Sequence, residues 1–345
     1  MSERISAPTS NVINFLKCIL CVGVVCIHSG FDENSVGVYG HDLGVFYGFH
    51  KVFVMTFLDK TCVPVFFVIS GYLYFNNIDS FSFLEYRKKT ISRLRSLLLP
   101  FLIANILFFI GGIIVRGFGN ENIFSSCADA LYGWKEGFPS DPPLWYMRDL
   151  MVVCFIFTPV IYFLTRKASF LFPILLIILW VFDFWYTSFP GFELKPFFFF
   201  SLGAFMGIKK YDMISLIQIP KWGVFYILLF LVLLFVVCIW QIDVMDRIAV
   251  LLSIPFWMSL AYWMASLGIK CPLPIVSATV FIYIYHYYLA IAIPRGVLVL
   301  VGFSIPLSFF AFFSGVISTI VIMTILYFVL RKFTPRLLSL MIGNR

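Results

Sequence analysis

The chain has 345 residues, of which 61% are hydrophobic and 12% are charged, and its mean hydropathy is +0.99. This composition excludes an ordinary soluble domain, in which about 25% of the residues are charged. The net charge of +8 gives no support for nucleic-acid binding, because the basic residues follow the alternation between loops that membrane topology imposes. The sequence therefore predicts an all-α polytopic membrane protein.

Apolar segments of spanning length recur along the whole chain. A transmembrane helix needs about 20 mostly apolar residues. We expect about ten such helices in a single integral-membrane domain, residues 1–345, with no separate soluble domain. The predicted spans are residues 11–30, 52–75, 94–115, 144–165, 170–188, 194–208, 222–241, 247–267, 274–294 and 304–330.

Lysine and arginine are concentrated in alternate loops, and this distribution predicts the orientation of the spans. Cytoplasmic loops of membrane proteins carry an excess of these two residue types. The basic stretch 87–95 follows the second predicted span, and further basic residues stand in the later even-numbered loops and in the C-terminal tail. Both termini are therefore expected to be cytoplasmic.

The first predicted span contains Lys17 and His28. Titratable side chains are costly in hydrocarbon and usually mark a functional site. At a rise of ~1.5 Å per residue, the two backbones would stand roughly 16 Å apart along the helix. His28 would serve as a general base near neutral pH, or as a neutral packing histidine. Lys17 would serve a ligand, snorkel to the inner interface or form a structural ion pair.

The second predicted span runs in the opposite direction, with Asp59 in its outer half and Ser70 and Gly71 in its inner half. Asp59 would then approach His28 in depth, where a carboxylate would fix the tautomer of the imidazole. Gly71 would allow close approach of a second helix or of a ligand, because it carries no Cβ.

The fourth and ninth predicted spans carry three further candidates. Trp145 suits the membrane interface at the start of the fourth span. Arg148 would grip a carboxylate or phosphate, and an interfacial ion pair explains it equally well. His286 lies near the middle of the ninth span, where function and core packing are both reasonable explanations. His41 and His50, in or beside the first outward loop, are expected to be solvated. No residues indicate a metal site.

Several short motifs occur in a fixed order along the chain. Lys17 and His28 are separated by ten residues in the first span, and the second span contains a Phe-rich run that ends in Ser-Gly-Tyr. Further motifs lie in the basic stretch and in the fourth, sixth and ninth spans. The second-span motif consists of Phe66, Phe67, Ser70, Gly71 and Tyr72. The further motifs, in the order just given, are Arg93, Arg95 and Pro100; Leu144 to Tyr146; Phe199 to Gly203; and Ile282 to His286.

This order and spacing resembles the membrane acyltransferase-3 family, bacterial proteins that O-acylate cell-envelope glycans. The resemblance covers roughly residues 11–330. In that family an arginine occupies the place of Lys17. The lysine keeps the positive charge and loses the bidentate guanidinium fork, which is a departure from the family pattern.

The resemblance implies a multi-pass O-acyltransferase of the bacterial inner (cytoplasmic) membrane. Such an enzyme transfers an acyl group, most often acetyl, from cytoplasmic acetyl-CoA or another acyl-CoA to a hydroxyl of a cell-envelope polysaccharide or glycolipid. His28 would be the general base, or would attack the thioester itself to give a transient acyl-imidazole. The resemblance and the positions above imply Asp59 as the residue that orients His28; Lys17, Ser70, Arg93 and Arg95 as donor contacts; and Arg148, Trp145 and His286 as acceptor contacts or oxyanion stabilisers.

Two other functions remain open from the sequence. A secondary transporter of an anionic or polar small molecule also carries intramembrane charges and proline-interrupted helices, although no inverted repeat is evident. A non-catalytic scaffold would use the same polar residues to lock helix packing. The expected partners are acyl-CoA, a glycan or lipid-linked sugar acceptor and membrane lipids, and the sequence does not fix the oligomeric state.

Overall fold

The computed structural model describes residues 7–31, 44–116, 123–135, 137–185, 187, 189–213, 215, 220–240, 242–269 and 271–343. These residues form helices joined by short connections, and no β-strand occurs among them. The α-helices are α1 Ala7–His28, α2 Gly44–Phe49, α3 Lys60–Phe75, α4 Phe83–Arg93, α5 Leu99–Arg116, α6 Ile123–Tyr132, α7 Trp145–Val152, α8 Thr158–Ala168, α9 Leu171–Val181, α10 Leu194–Ile208, α11 Pro220–Trp240, α12 Asp243–Ser266, α13 Leu273–Tyr285, α14 Tyr287–Val301, α15 Ile305–Phe333 and α16 Pro335–Ile342.

Short π-helical segments continue three of these α-helices without a break. They are His50–Asp59, Leu94–Leu98 and Val153–Phe157. Wider helical turns of this kind are rare and occur frequently at functional sites. The first of them ends at Asp59 and the second contains Arg95, two residues that the sequence had singled out.

Seven helices within the described residues are long and apolar enough to cross a membrane. All seven coincide with predicted spans, so the fold class of an all-helical multi-pass membrane protein is confirmed. Two other predicted spans correspond to the shorter apolar helices α9 and α10, and the count of ten and the orientation of the termini stay predictions. The seven are Thr9–His28, Val45–Phe75, Phe83–Ile114, Pro142–Ala168, Gly223–Trp240, Asp243–Ser266 and Ile305–Phe333.

The ninth predicted span is not a straight helix. It is divided into α13 and α14, which meet at His286 with a bend of 85°. His286 Nδ1 lies 3.0 Å from the carbonyl oxygen of Ile282 and 2.9 Å from that of Tyr283. A side chain that bonds to the preceding turn competes with the regular helical pattern, which explains why the break falls at this residue.

The helices form two compact units. The first comprises Met1–Ser10, Pro64–Ile219 and Pro335–Arg345, and the second comprises Asn11–Val63 and Pro220–Thr334. Lys17, His28, Asp59 and His286 therefore belong to the second unit, whereas Ser70, Arg93, Arg95, Trp145 and Arg148 belong to the first.

The second unit has an aromatic core where the π-helix His50–Asp59 meets α12. Phe57 stacks on Trp257 with ring centroids 5.2 Å apart, and Phe230 lies 4.5 Å from Phe256. The indole Nε1 of Trp257 donates a hydrogen bond of 3.0 Å to Thr61 Oγ1. This packing fixes the helix that carries Asp59.

The first unit contains a close crossing of α3 and α10 through glycines. A Cβ at Gly71 would lie 2.9 Å from the backbone nitrogen of Ala204, and a Cβ at Gly203 would lie 2.9 Å from that of Tyr72. Real Cβ atoms do not approach a backbone this closely, so both positions require glycine. The predicted role of Gly71 in close helix contact is confirmed.

Candidate active site

The first helix presents Lys17 and His28 on a single face. Because α1 is uninterrupted from Ala7 to His28, the eleven positions that separate them correspond to about 16 Å of rise and a rotation of only about 20°. Cys21 lies on the same face, and its Sγ is 3.8 Å from the carbonyl oxygen of Thr279 in α13. The face with both predicted site residues therefore packs along α13.

At the end of α1, His28 meets the bend between α13 and α14. Its ring centroid lies 5.3 Å from that of His286 and 5.2 Å from that of Tyr287, which it meets edge to face. His28 is half-buried and His286 is fully buried. The structure thus brings two of the predicted site residues together, and the sequence had no signal for Tyr287 beyond its place in an aromatic run.

The hydrogen bonds of His286 determine which ring nitrogen carries its proton. Both atoms near Nδ1 are carbonyl oxygens, which only accept hydrogen bonds, so Nδ1 must be the donor. Nε2 then carries a lone pair in the neutral imidazole, and it is buried with no hydrogen-bond partner in the described part of the chain. A buried unpartnered acceptor beside His28 is suited to receive a hydrogen bond from a bound hydroxyl.

Asp59 lines an open cavity of about 640 Å³ in the second unit, and Ile27 and Gly30, which bracket His28, line it as well. Gly30 lies directly against the ring of His50, where a Cβ would collide with the imidazole. The orienting role of Asp59 stays a prediction.

His50 also lines this cavity, together with Lys51 and Arg295. His50 was expected to be an ordinary solvated residue of the outward loop; its place on the cavity wall was missed. His41 lies outside the described residues.

In the first unit, two of the sequence motifs meet at a hydrogen bond. Ser70 Oγ and the hydroxyl of Tyr146 are 3.0 Å apart, and the ring of Tyr146 lies 4.6 Å from that of Phe67. Trp145 is half-buried with the ammonium group of Lys195 5.5 Å from its ring centroid. The Ser-Gly-Tyr and Leu-Trp-Tyr motifs therefore form one contact region.

Arg148 is occupied by contacts within the protein. Its side chain is 4% exposed and its Nε donates to Asp149 Oδ1 at 2.8 Å. Nη1 donates to the carbonyl oxygens of Tyr132 and Gly137 at 2.9 and 2.8 Å. This geometry holds the segment after α6 against α7. The predicted acceptor contact by Arg148 stays a prediction, and the observed contacts support a role in positioning that segment.

Arg93 and Arg95 differ in their surroundings. Arg93 is half-buried, with its guanidinium 5.8 Å from the ring centroid of Tyr74, and Lys89 lies 5.5 Å from the same ring. Arg95 is exposed. The C-terminal segment packs beside it, since a Cβ at Gly343 would lie 2.6 Å from Ser96 Cα. Both arginines are accessible in part to an anionic ligand.

The described residues contain no group of three or more His, Cys, Asp or Glu side chains that would hold a metal ion. The candidate site in the second unit comprises the two histidines, the lysine on the same helix face and the charged groups of the cavity.

Comparison with known proteins gives one family and one curated relative. Residues 11–328 match the acyltransferase-3 family, described as an acyltransferase domain. The Succinoglycan biosynthesis protein ExoH of Rhizobium meliloti (strain 1021) is 28% identical over 176 residues, which cover 47% of this chain and 44% of the relative. The alignment thus spans less than half of the relative's length, and no solved structure matches the chain. Because the family match extends over nearly the whole sequence, the chain belongs to the acyltransferase-3 family.

Proposed function

We propose that this protein transfers an acyl group from cytoplasmic acyl-CoA to a hydroxyl of a cell-envelope polysaccharide or glycolipid. The observation that carries the proposal is the contact between His28 and His286 at one end of a helix face whose other end carries Lys17. Acetyl is the favoured acyl group, because it is the commonest in the family. The name of the relative ExoH, a succinoglycan biosynthesis protein, supports a polysaccharide acceptor.

The proposed topology has ten spans in the bacterial inner membrane, with both termini in the cytoplasm. The two short apolar helices and the bent pair would supply the three spans beyond the seven long ones. The basic stretch 87–95 would then face the cytoplasm, as the excess of Lys and Arg predicts. Lys17 would lie in the inner half of the membrane and His28 near the outer surface.

The donor would be held by basic groups on the inner side. Lys17 would neutralise phosphate charge of the donor, and a distance of about 16 Å along α1 would suit an extended pantetheine arm reaching toward His28. Lys17 binds phosphate as a point charge, since it lacks the fork of an arginine.

The chemical step would be the attack of a sugar hydroxyl oxygen on the thioester carbonyl. His28 would accept the hydroxyl proton as the C–O bond forms, the C–S bond would break, and the proton would pass to the departing thiolate to give free CoA. Attack by His28 itself would give the same products through an acyl-imidazole. In either case the reaction consumes one thioester and forms one ester.

His286 would position the hydroxyl of the acceptor sugar and would not stabilise the oxyanion that forms on the thioester carbonyl. Its Nδ1 proton is held by backbone carbonyls, so Nε2 offers a lone pair, which binds a hydroxyl and repels a developing negative charge. Asp59 would orient the imidazole of His28.

The test uses purified protein in nanodiscs with acetyl-CoA and polysaccharide fragments, and measures free CoA and acylated product. We expect His28→Ala to reduce kcat by about 10²–10⁴-fold. Tyr288→Phe, an exposed neighbour of Tyr287, is the matched control and should retain activity. Full activity of His28→Ala would refute the proposed base, and a wild-type protein that moves a solute down a gradient and leaves acetyl-CoA intact would be a transporter.

A further inference from the structure

The open cavity that Ile27 and Gly30 line has an excess of positive charge among its described lining residues. Among its lining residues, Lys51, Lys60 and Arg295 are cationic, whereas Asp59 is the acidic one. At about 640 Å³, its volume falls within the range of roughly 300–1,000 Å³ that is typical of small-molecule sites. The cavity has room for a sugar unit together with a charged substituent.

The three cations are not equally available to a ligand. Lys60 Nζ forms an ion pair of 2.8 Å with Asp246 Oδ1, so its charge is already compensated. Lys51 is exposed and Arg295 is half-buried, and neither side chain makes an ion pair or hydrogen bond within the residues that the structure describes. Among the lining residues that the structure describes, Lys51 and Arg295 therefore supply the uncompensated positive charge.

Arg295 gives the clearer indication of a ligand. Its Nε is buried and has no hydrogen-bond partner in the described part of the protein. A buried donor without a partner is costly, and it is more costly when the group is charged. Guanidinium groups favour planar or tetrahedral oxyanions, which satisfy two N–H donors at once. A carboxylate or phosphate in the cavity would remove this cost.

We propose that this cavity binds an anionic group, carboxylate or phosphate, of the sugar acceptor, with Arg295 and Lys51 as its contacts. The inference rests on the proposed function, because it assigns the cavity next to His28 to the acceptor. Ile27 and Gly30 connect the cavity wall to His28. An anion held at Arg295 would anchor the sugar in a cavity whose wall includes two near neighbours of His28 in the sequence. Acidic acceptors would then be preferred over neutral ones.

A binding experiment tests this without catalysis. The thermal unfolding midpoint of the full chain in detergent is measured with methyl glucuronide, glucose 6-phosphate or methyl glucoside. We expect stabilisation by at least one of the two anionic sugars and none by the neutral one. The more effective anion identifies a carboxylate or a phosphate as the preferred group. Equal effects of all three sugars, or no effect of either anion, would overturn the proposal.

Variants show whether the effect belongs to the cavity. Arg295→Gln should weaken binding of the stabilising anion by roughly tenfold or more, which is the usual consequence of losing one charged hydrogen bond. Lys51→Gln, at an exposed position that does not endanger folding, should weaken it less. Arg247→Gln removes a cation that does not line the cavity and should bind as wild type. Unchanged binding in both cavity variants would refute the assignment.

The proposed function has a separate readout, the release of CoA from acetyl-CoA with polysaccharide fragments. If wild-type protein releases CoA but shows no preference for anionic sugars, the proposed function is supported and the assignment of the cavity to an anionic group is refuted. If the protein binds anionic sugars but never consumes acetyl-CoA, the anion site is supported and the proposed acyltransferase function is refuted.

Discussion

The contact between α3 and α10 offers a sharp test of the packing, because it depends on the absence of a single Cβ. At Gly203, an added Cβ would lie 2.7 Å from the carbonyl carbon of Val68 and 2.9 Å from the backbone nitrogen of Tyr72. Contacts between such atoms are favourable only at about 3.5–4.0 Å, so the two helices would have to separate by about 1 Å. Backbone atoms cannot rotate away as a side-chain end can.

Gly203→Ala should therefore destabilise the protein by about 1–3 kcal/mol, the usual cost of overpacking. The matched control is Gly111→Ala in α5, where an added Cβ meets no atom within 4 Å. That substitution should be neutral or slightly stabilising, within about 1 kcal/mol, because alanine restricts the unfolded chain.

The assay is the thermal unfolding midpoint of both variants in the same detergent, together with the amount of folded protein in the membrane. The prediction requires a lower midpoint for Gly203→Ala and an unchanged or higher one for Gly111→Ala. If the two variants unfold together with wild type, the close crossing does not exist and the packing of the first unit described above is wrong.

Three further predictions concern charged groups. Arg148→Met should destabilise the protein by about 3–5 kcal/mol in a detergent unfolding assay, because it leaves the carboxylate of Asp149 buried without its ion-pair partner. The Arg148→Met/Asp149→Leu double variant should recover much of this loss, and a double variant as unstable as the single one would contradict the explanation. Burial raises the pKa of Asp141 well above its ordinary value, and both of its carboxylate oxygens are without hydrogen-bond partners in the described part of the chain. The folded protein therefore favours the neutral carboxyl group of Asp141. The stability that this group contributes is fully present below its pKa in the unfolded chain, about 3.9, and is lost as the pH rises through its pKa in the folded protein. Asp141→Asn should be more stable than wild type at pH 7 and lose that advantage in acid, and identical pH profiles of stability for the two proteins would exclude the effect. Lys17→Ala should raise the KM for acetyl-CoA roughly tenfold through loss of a charged contact, Lys17→Arg should restore it, and an unchanged KM in the alanine variant would remove Lys17 from the donor site.

Much of the fold follows from patterns that the sequence makes explicit. Long apolar runs have no alternative to helix in a bilayer, because every backbone polar group must be satisfied internally. This is why the seven long spans coincide with predicted ones. A close approach at Gly71 was predictable because glycine carries no Cβ, although Gly48, in another aromatic-rich helix, has no atom of the described residues within 4 Å of an added Cβ. The separation of Lys17 and His28 along α1 could be predicted from the sequence, because it needs only the rise per residue of a regular helix.

The remaining features depend on contacts that the sequence order does not display. The bend at His286 arises because its Nδ1 bonds to two carbonyl oxygens, whereas composition alone favoured one straight span. For Arg148 the sequence left a ligand contact and an ion pair equally open, and only the structure shows that it pairs with Asp149 and donates from Nη1 to the carbonyl oxygens of Tyr132 and Gly137. The cavity joins Lys51 and Arg295, which lie far apart in the sequence. No local sequence pattern predicts that these two residues line one cavity.

The acyl content of surface glycan tests the proposed acyl transfer in cells. It is measured by mass spectrometry in bacteria that express wild type, His28→Ala or Lys17→Arg at equal membrane levels. We expect an added acyl mass with wild type and Lys17→Arg and none with His28→Ala. Acylation that persists in His28→Ala would contradict the proposed mechanism, and glycan that remains unmodified by wild type in every acceptor background tested would contradict the proposed function.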